Sequence, residues 1–299
     1  MESRESDAFT EVRLTLPRSS AQLLVQHLDA AVVPGLEGYF ETLYTENQTG
    51  DSTSLYFYFD PADTTASLKV ELLAAASGAE EMDLESRTVS RQEYLESYKK
   101  HYTSFRIADF AIVPSWKQSE ADAFPGAQLL FLDPGLAFGT GLHPTTRMCL
   151  GWISSHRDAV QGRRVIDAGT GSGILSLALL LAGAERVLAF DLESNAIRAT
   201  EQNLLLNSNL ARDRLDLELG GFEIESFLSF GGEILVGNLT ATIILGAKER
   251  IQSGRFPRMI FTGILSEQKE EVRKAFSDWQ LVSSAEEDGW ALLELGLSG

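Results

Sequence analysis

The sequence predicts an α/β protein in which a mostly parallel sheet, covered by helices on both faces, follows a small two-layer α+β module of ferredoxin-like type. Three observations predict it. From about residue 127 onward, short apolar runs alternate with stretches of helical periodicity, the rhythm of a parallel sheet. One of those runs, Val165-Ile166-Asp167-Ala168, enters a turn of three alternate glycines and then an apolar helix. That turn is what ligand-binding α/β sheets carry at a strand's carboxyl end. Earlier, the order β-α-β-β-α over residues 9–76 predicts the smaller module.

The elements follow in order. Residues 9–16 alternate well enough for a strand, which Pro17 stops. Ser19 or Ser20 suits a helix cap ahead of an apolar face made by Leu24, Val25, Leu28, Ala31 and Val32. Strands are expected at Tyr39–Thr45 and Ser54–Asp60 across a turn-rich link, then a helix over Ala62–Ala76. Residues 78–100 are polar and acid-rich, with a connecting helix over Ser90–Lys100, and one strand spans Ile107–Val113 before Pro114. The larger sheet is expected to hold strands at Leu129–Leu132, Arg164–Asp167, Arg186–Asp191, Leu215–Leu219, Ile234–Asn238 and Arg258–Thr262. Helices lie between them near 143–155, 173–182, 194–207, 240–252 and 266–276, and Gln280–Ser284 with Trp290–Leu295 closes as an antiparallel hairpin. The division is into 1–89, a linker helix and connecting segment at 90–126, and 127–299.

Composition narrows the chemistry. With 25 Lys+Arg against 43 Asp+Glu the net charge is −18, which argues against a protein that grips nucleic-acid phosphate by its general charge. The same surplus attracts a basic partner, and equally serves plain solubility. One cysteine, Cys149, leaves no internal disulfide, and the four histidines are scattered without metal-ligand spacing, so no metal is expected. The first residues lack the apolar core of a signal peptide, and the greasy run Ile174–Ala182 is too short to span a membrane. A soluble cytoplasmic protein is the expectation.

The turn Gly169-Thr170-Gly171-Ser172-Gly173 allows close backbone approach to a ligand, and the helix behind it offers unpaired N–H groups. Ile174 stands where a dinucleotide fingerprint would want its last glycine. Asp167 would sit poorly beside a pyrophosphate but well beside an ammonium or sulfonium. Asp191 closes the next strand, where an acid reaches ribose hydroxyls. A cationic, ribose-bearing ligand without phosphates fits both acids, and S-adenosylmethionine is such a ligand. The alternative, a tight turn with helix-capping acids, uses the same residues.

Two further segments bear on the site. Upstream, Asp133-Pro134-Gly135-Leu136-Ala137-Phe138-Gly139-Thr140-Gly141-Leu142-His143-Pro144-Thr145-Thr146 is dense in glycine and hydroxyls; it suits a loop over a ligand, with Phe138 as an apolar wall and Thr146 as a donor. It also suits a capped helix start. Downstream, the apolar run Ile234–Gly237 ends at Asn238, whose amide can orient an amine without charge, or cap a helix. No Pro-Pro-aromatic follows it, which disfavours a methyltransferase acting on nucleobases.

These segments, 133–146, 165–207 and 237–241, resemble the PrmA family, methyltransferases of ribosomal large-subunit protein eleven; Ile112–Trp116 and Phe261–Gln268 support the likeness. The resemblance is specific over about residues 90–295. It implies a class I (Rossmann-like) S-adenosylmethionine-dependent methyltransferase sheet at 127–299, a substrate-recognition domain at 1–89 and the linker helix between. It implies cofactor contacts at Thr146, Gly169, Asp191 and Asn238. The chain departs from the family pattern at Leu142, Thr170 and Leu239-Thr240.

The reaction expected is methylation of lysine or α-amino groups on a basic ribosomal protein, free or on the ribosome, with no nucleic-acid or membrane partner. Acceptor positioning is assigned to Asn238, Phe138 and Thr140, and the cofactor to Thr146, Gly169, Gly171, Asp191 and Asn238. A neutral lysine at pH 7 costs roughly 4.6 kcal/mol, so the acceptor pocket is expected to be apolar or neutral. No general base is identifiable. The other readings are a methyltransferase of another lysine or small amine, and a non-catalytic cofactor-binding module. Residues 1–110 hold 9 basic and 19 acidic residues, against 16 and 24 in 111–299, which points the acidic end at a basic substrate.

Overall fold

The computed structural model describes residues 8–30, 33–41, 51–79, 81–94, 99, 102–133 and 141–298. The chain divides into two compact units, Met1–Thr103 and Ser104–Gly299. Residues 104–126 of the expected connecting segment therefore fall within the second unit.

In the first unit, β1 (Ala8–Pro17), β2 (Leu36–Glu41), β3 (Ser52–Phe59) and β4 (Asp83–Ser90) form an antiparallel sheet in the order β2-β3-β1-β4. Helices α1 (Arg18–Ala30) and α2 (Ala66–Ala76) pack on one face, where Val12, Leu14 and Leu16 meet Leu24, Val25, Leu28 and Val70. The element order β-α-β-β-α-β is that of a ferredoxin-like module. Its last strand, β4, was not expected: in Asp-Leu-Glu-Ser-Arg-Thr-Val-Ser only Val89 is buried, so an edge strand here carries almost no hydrophobic alternation. Ser19 and Ser20 lie inside α1 rather than capping it, and the Arg18 N–H donates to the Asp51 carbonyl (2.9 Å) instead. Ala31, Val32 and the expected strand residues 42–45 lie outside the described residues, as do 95–98 and 100 of the expected linker helix, of which Arg91–Tyr94 and Lys99 are helical.

The second unit opens with a three-stranded sheet, β5 (Phe105–Ile107), β6 (Phe110–Pro114) and β7 (Gln128–Leu132), in that order. The single strand expected over Ile107–Val113 is two, because Ala108 adopts φ 49° and turns the chain. β7 pairs in parallel with β6 and lies outside the larger sheet, to which the sequence assigns it; a buried run shows that a strand is covered, not which neighbour it takes. The larger sheet has seven strands in the order β10-β9-β8-β11-β12-β14-β13. They are β8 (Arg164–Ala168), β9 (Arg186–Asp191), β10 (Leu215–Leu219), β11 (Ile234–Asn238), β12 (Arg258–Leu265), β13 (Trp279–Glu287) and β14 (Trp290–Leu297). All pairs from β10 to β12 are parallel and the closing hairpin is antiparallel. Helices α3 (Pro144–Ser155), α4 (Ile174–Leu181), α5 (Ser194–Leu206), α6 (Ala241–Gly246), α7 (Lys248–Gly254) and α8 (Lys269–Ala275) intervene. The chain runs outward from β8 through β9 to β10, then returns to the other side of β8 at β11. In such open sheets the crevice lies at that reversal, beyond the carboxyl ends of the strands. No helix among the described residues is long and apolar enough to cross a membrane.

Candidate active site at the strand tips

The reversal point brings three strand ends together: Ala168 of β8, Asp191 of β9 and Asn238 of β11. From β8 the backbone enters the glycine turn, and Gly169, Gly171 and Gly173 all take positive φ, 73°, 54° and 82°. These are left-handed conformations that side chains resist. Space demands glycine as well. A Cβ on Gly169 would fall 2.5 Å from Leu239 Cδ2, and one on Gly173 would fall 2.7–3.0 Å from Thr200.

The turn is held from two directions. The N–H groups of Gly169 and Thr170 donate to the Phe190 carbonyl, at 2.9 and 3.1 Å. The Gly171 N–H donates to Asp191 Oδ2 (3.0 Å), while Asp191 Oδ1 accepts from the Glu193 N–H (3.0 Å). Asp191 is half-buried, and each of its oxygens keeps a lone pair for a further donor. Beside it, Leu192, Gly221, Phe222 and Ile243 line an open cleft of about 620 Å³. The one basic group on that cleft, Arg250, donates to the carbonyls of Phe222 and Ile224.

Asp167 is fully buried on the opposite face of β8 from the core residues Ile166 and Ala168. Its Oδ2 accepts from Ser176 Oγ (2.6 Å) and Thr170 Oγ1 (3.0 Å), and its Oδ1 has no hydrogen-bond partner among the described residues. Burial without a cation raises its pKa to about 6, against the pull of the two hydroxyls. The neighbouring Cys149 thiol is likewise pushed up, by burial first and by Asp167 second. The Asp167 carboxyl therefore ties the turn to α4 from within.

Asn238 is half-buried and donates through Nδ2 to Thr146 Oγ1 (3.4 Å), at the buried start of α3. Just upstream, His143 caps α3 by accepting from the Thr145 N–H, and burial lowers its pKa to about 3. The residue after Asn238 is clamped. The Leu239 N–H donates to the Thr262 carbonyl (2.9 Å), and a Cβ on Gly263, at φ 81°, would lie 2.7–2.9 Å from the Leu239 backbone. Leu239 is thus seated between Gly169 of the turn and Gly263 in the β12 bulge.

The structure accordingly draws Thr146, Asn238, Gly169, Gly171 and Asp191 into one linked group. Phe138 and Thr140 lie outside the described residues. The described residues flanking 134–140 both lie against the glycine turn. Asp133 is bonded through Asn203 to Ser172, and a Cβ on Gly141 would meet Ile174 at 3.0 Å. The sequence reading gives no site role to Thr170, Ser176, Gly263 or Asn203. The last had a readable signal: Thr200, Asn203 and Asn207 are polar at helical spacing on a single face.

The residues present fit S-adenosylmethionine. The cradle is made of glycines a Cβ would overfill, and its charges are an exposed-side acid and a buried, unpartnered carboxyl oxygen. Arg250 is the one cation among the described residues lining the cleft, and it holds two backbone carbonyls through Nε and Nη2, so the cleft has no cluster of cations for a phosphate.

Comparison with known proteins agrees with this geometry. A relative from Leptospira interrogans named ribosomal protein L11 methyltransferase is 31% identical over 96% of this chain and 98% of its own length. One of the same name from Azotobacter vinelandii is 35% identical over 78% of each. The crystal structure of a ribosomal protein L11 methylase from Lactobacillus delbrueckii subsp. bulgaricus, 29% identical, covers 66% of this chain and all of its own with a TM-score of 0.57. A family model, ribosomal protein L11 methyltransferase (PrmA), matches residues 6–296, and the chain belongs to that family.

Proposed function

We propose that this chain transfers methyl groups from S-adenosylmethionine to amino groups of ribosomal protein L11, in the cytoplasm. The observation that supports it best is the linked group at the strand tips, an acid-and-glycine cradle beside a neutral amide, in a chain matched to the family over nearly its whole length. When bound, the cofactor supplies a methyl group made electrophilic by its sulfonium. Asp191 takes the ribose hydroxyls on its spare lone pairs, and the turn from Gly169 to Gly173 lets the backbone come close. Thr146 lies within hydrogen-bond reach of Asn238 and completes the cofactor side of the site.

On the acceptor side, Asn238 orients the incoming amine through its amide. Methyl transfer is an in-line displacement, so holding the amine in line accounts for most of what the protein must do. Phe138 and Thr140 are assigned to the same task. Asn238 carries no charge, which avoids the rise in amine pKa that a carboxylate would cause. The amine has to arrive neutral, and a lysine does so at a cost of roughly 4.6 kcal/mol at pH 7. The first domain, 1–89, recognises the substrate, its acidic surplus steering a basic protein, with 90–126 as connection and 127–299 as the catalytic part.

The test incubates the purified chain with methyl-labelled S-adenosylmethionine and L11, alone and in ribosomes. Label in L11 supports the reading. Label only in other proteins or in a small amine moves the substrate elsewhere, and cofactor binding without transfer leaves a binding module. Asn238→Ala is expected to lower kcat about 100-fold. Asp191→Ala is expected to raise the cofactor Kd about 50-fold.

A further inference from the structure

Helix α5 and the residue that ends it carry a buried polar face. Thr200 and Asn203 are fully buried and Asn207 nearly so. Each is bonded to the backbone of another segment rather than to solvent. Thr200 Oγ1 donates to the Gly171 carbonyl (3.1 Å). Asn207 Oδ1 accepts from the Phe131 N–H (2.9 Å), and its Nδ2 donates to the carbonyls of Phe131 (2.8 Å) and Asn203 (2.7 Å). Asn203 Oδ1 accepts from the Asp133 N–H (2.8 Å), and its Nδ2 donates to the carbonyls of Asp133 (3.2 Å) and Ser172 (2.8 Å).

The two asparagines thus do the same thing to the chain leaving β7, at alternate residues. They differ in one bond. Asn203 also reaches the Ser172 carbonyl, at the middle of the glycine turn, and Asn207 does not. That carbonyl belongs to the peptide linking Ser172 to Gly173, with Gly173 at φ 82° on its far side and Gly171 at φ 54° one residue before Ser172. A peptide that runs into glycine is freer to reorient than one between two side-chain-bearing residues, and its orientation decides where the turn's N–H groups point. A buried amide with every hydrogen-bonding group used is a firm anchor for such a peptide, because losing it strands its partners without water.

We propose that Asn203 is a positioning residue for the cofactor: it pins the Ser172–Gly173 peptide and the end of β7 to one another, and so holds the glycine turn in its binding conformation. The proposal rests on the reading of the turn as a cofactor site. Asn207 is its internal control, a buried amide of equal type that ends the helix and gives its second N–H to the Asn203 carbonyl, not to the turn.

The experiment measures S-adenosylmethionine affinity by calorimetry, together with denaturant unfolding, for the full chain and for Asn203→Ala and Asn207→Ala. Both substitutions are expected to lower the unfolding midpoint to a similar degree. Only Asn203→Ala is expected to weaken cofactor binding, about tenfold, the loss of one well-made buried hydrogen bond, while KM for the protein acceptor stays within about twofold. Cofactor affinity unchanged in Asn203→Ala overturns the proposal, and so does an equal loss in Asn207→Ala, which would make the effect one of stability alone. If Asn203→Ala does not fold, Asn203→Ser is read by the same criteria. Failure of the unmodified chain to bind the cofactor overturns the reading of the site and this proposal with it; binding by the unmodified chain and by Asn203→Ala alike removes the proposal only.

Discussion

Glu11 in the first unit and Asp167 in the second are carboxylates buried in a sheet, and the two are treated in opposite ways; a second buried carboxylate of the larger sheet, Glu294 of β14, has Arg258 3.5 Å away and follows Glu11. In the first unit Glu11 of β1 is 3% exposed and is met by the Arg87 guanidinium of β4 (2.7 Å) and by the Tyr58 hydroxyl of β3 (3.1 Å). Around it Phe9, Tyr58 and Tyr94 stack as tilted and edge-on pairs, and burial with the nearby acid pushes the Tyr58 phenol well above its ordinary pKa. The three strands are stitched together by a charge that has its counter-charge. In the second unit Asp167 of β8 receives two hydroxyls and, among the described residues, no cation, and one oxygen is left over. The difference teaches what each is for. A paired buried charge holds a sheet, whereas an unpaired one at the root of a glycine turn remains available to electrostatics at the strand tips.

The largest test of that contrast is pH. Asp167 has a folded pKa of about 6 against an unfolded value near ~3.9. Its proton is therefore held by the folded state between those values, and the stability this gives is full below about pH 4 and lost as pH rises through 6. The unfolding free energy of the unmodified chain minus that of Asp167→Asn should fall by about 3 kcal/mol from about pH 3 to about pH 8, read by denaturant titration. A flat difference would mean that the carboxyl has found a counter-charge. His143 runs the other way: its folded pKa of about 3 lies below the unfolded value, so its contribution is present above pH ~6.5 and lost as pH falls. For that reason the difference between variants, not the raw pH profile, carries the test.

A smaller effect is expected in the first unit. Arg87→Ala strips Glu11 of its cation, and because Arg87 itself is more than half exposed the cost should be about 2 kcal/mol, below that of breaking a fully buried pair. Cofactor affinity should not change, which calorimetry on the same sample checks. Smallest of all, Leu72→Ser on the exposed face of α2 should shift stability by less than ~0.5 kcal/mol, since Leu72 is 61% exposed and Val70 and Ala74 face the core.

What could be read in advance divides along the same line. Strands β9, β10 and β11 were legible to the residue, and β8 and β12 to within a few, because compact apolar runs bounded by turn residues leave few alternatives. The grouping of Thr146, Gly169, Gly171, Asp191 and Asn238 was legible for a related reason: topology carries strand ends to one place whatever the side chains are. β4 was not, since an edge strand with one buried residue has no pattern to betray it. Nor was the break between β5 and β6, where an alanine rather than a glycine takes the left-handed turn. The spacing of Thr200, Asn203 and Asn207 marks one polar face of α5 in the sequence, but not that it is buried, because the backbone groups that cover it come together only in the folded chain.

The amides of Asn203 and Asn207 have a consequence for the margin of the smaller sheet. β7 stands at its edge, and an edge ordinarily presents open N–H and C=O groups to any passing strand. Here the outward groups of Phe131 and Asp133 are already matched by two side chains that imitate a neighbouring strand. That margin cannot recruit a foreign chain there, and the amide protons of Phe131 and Asp133 should exchange with solvent as slowly as those inside a sheet.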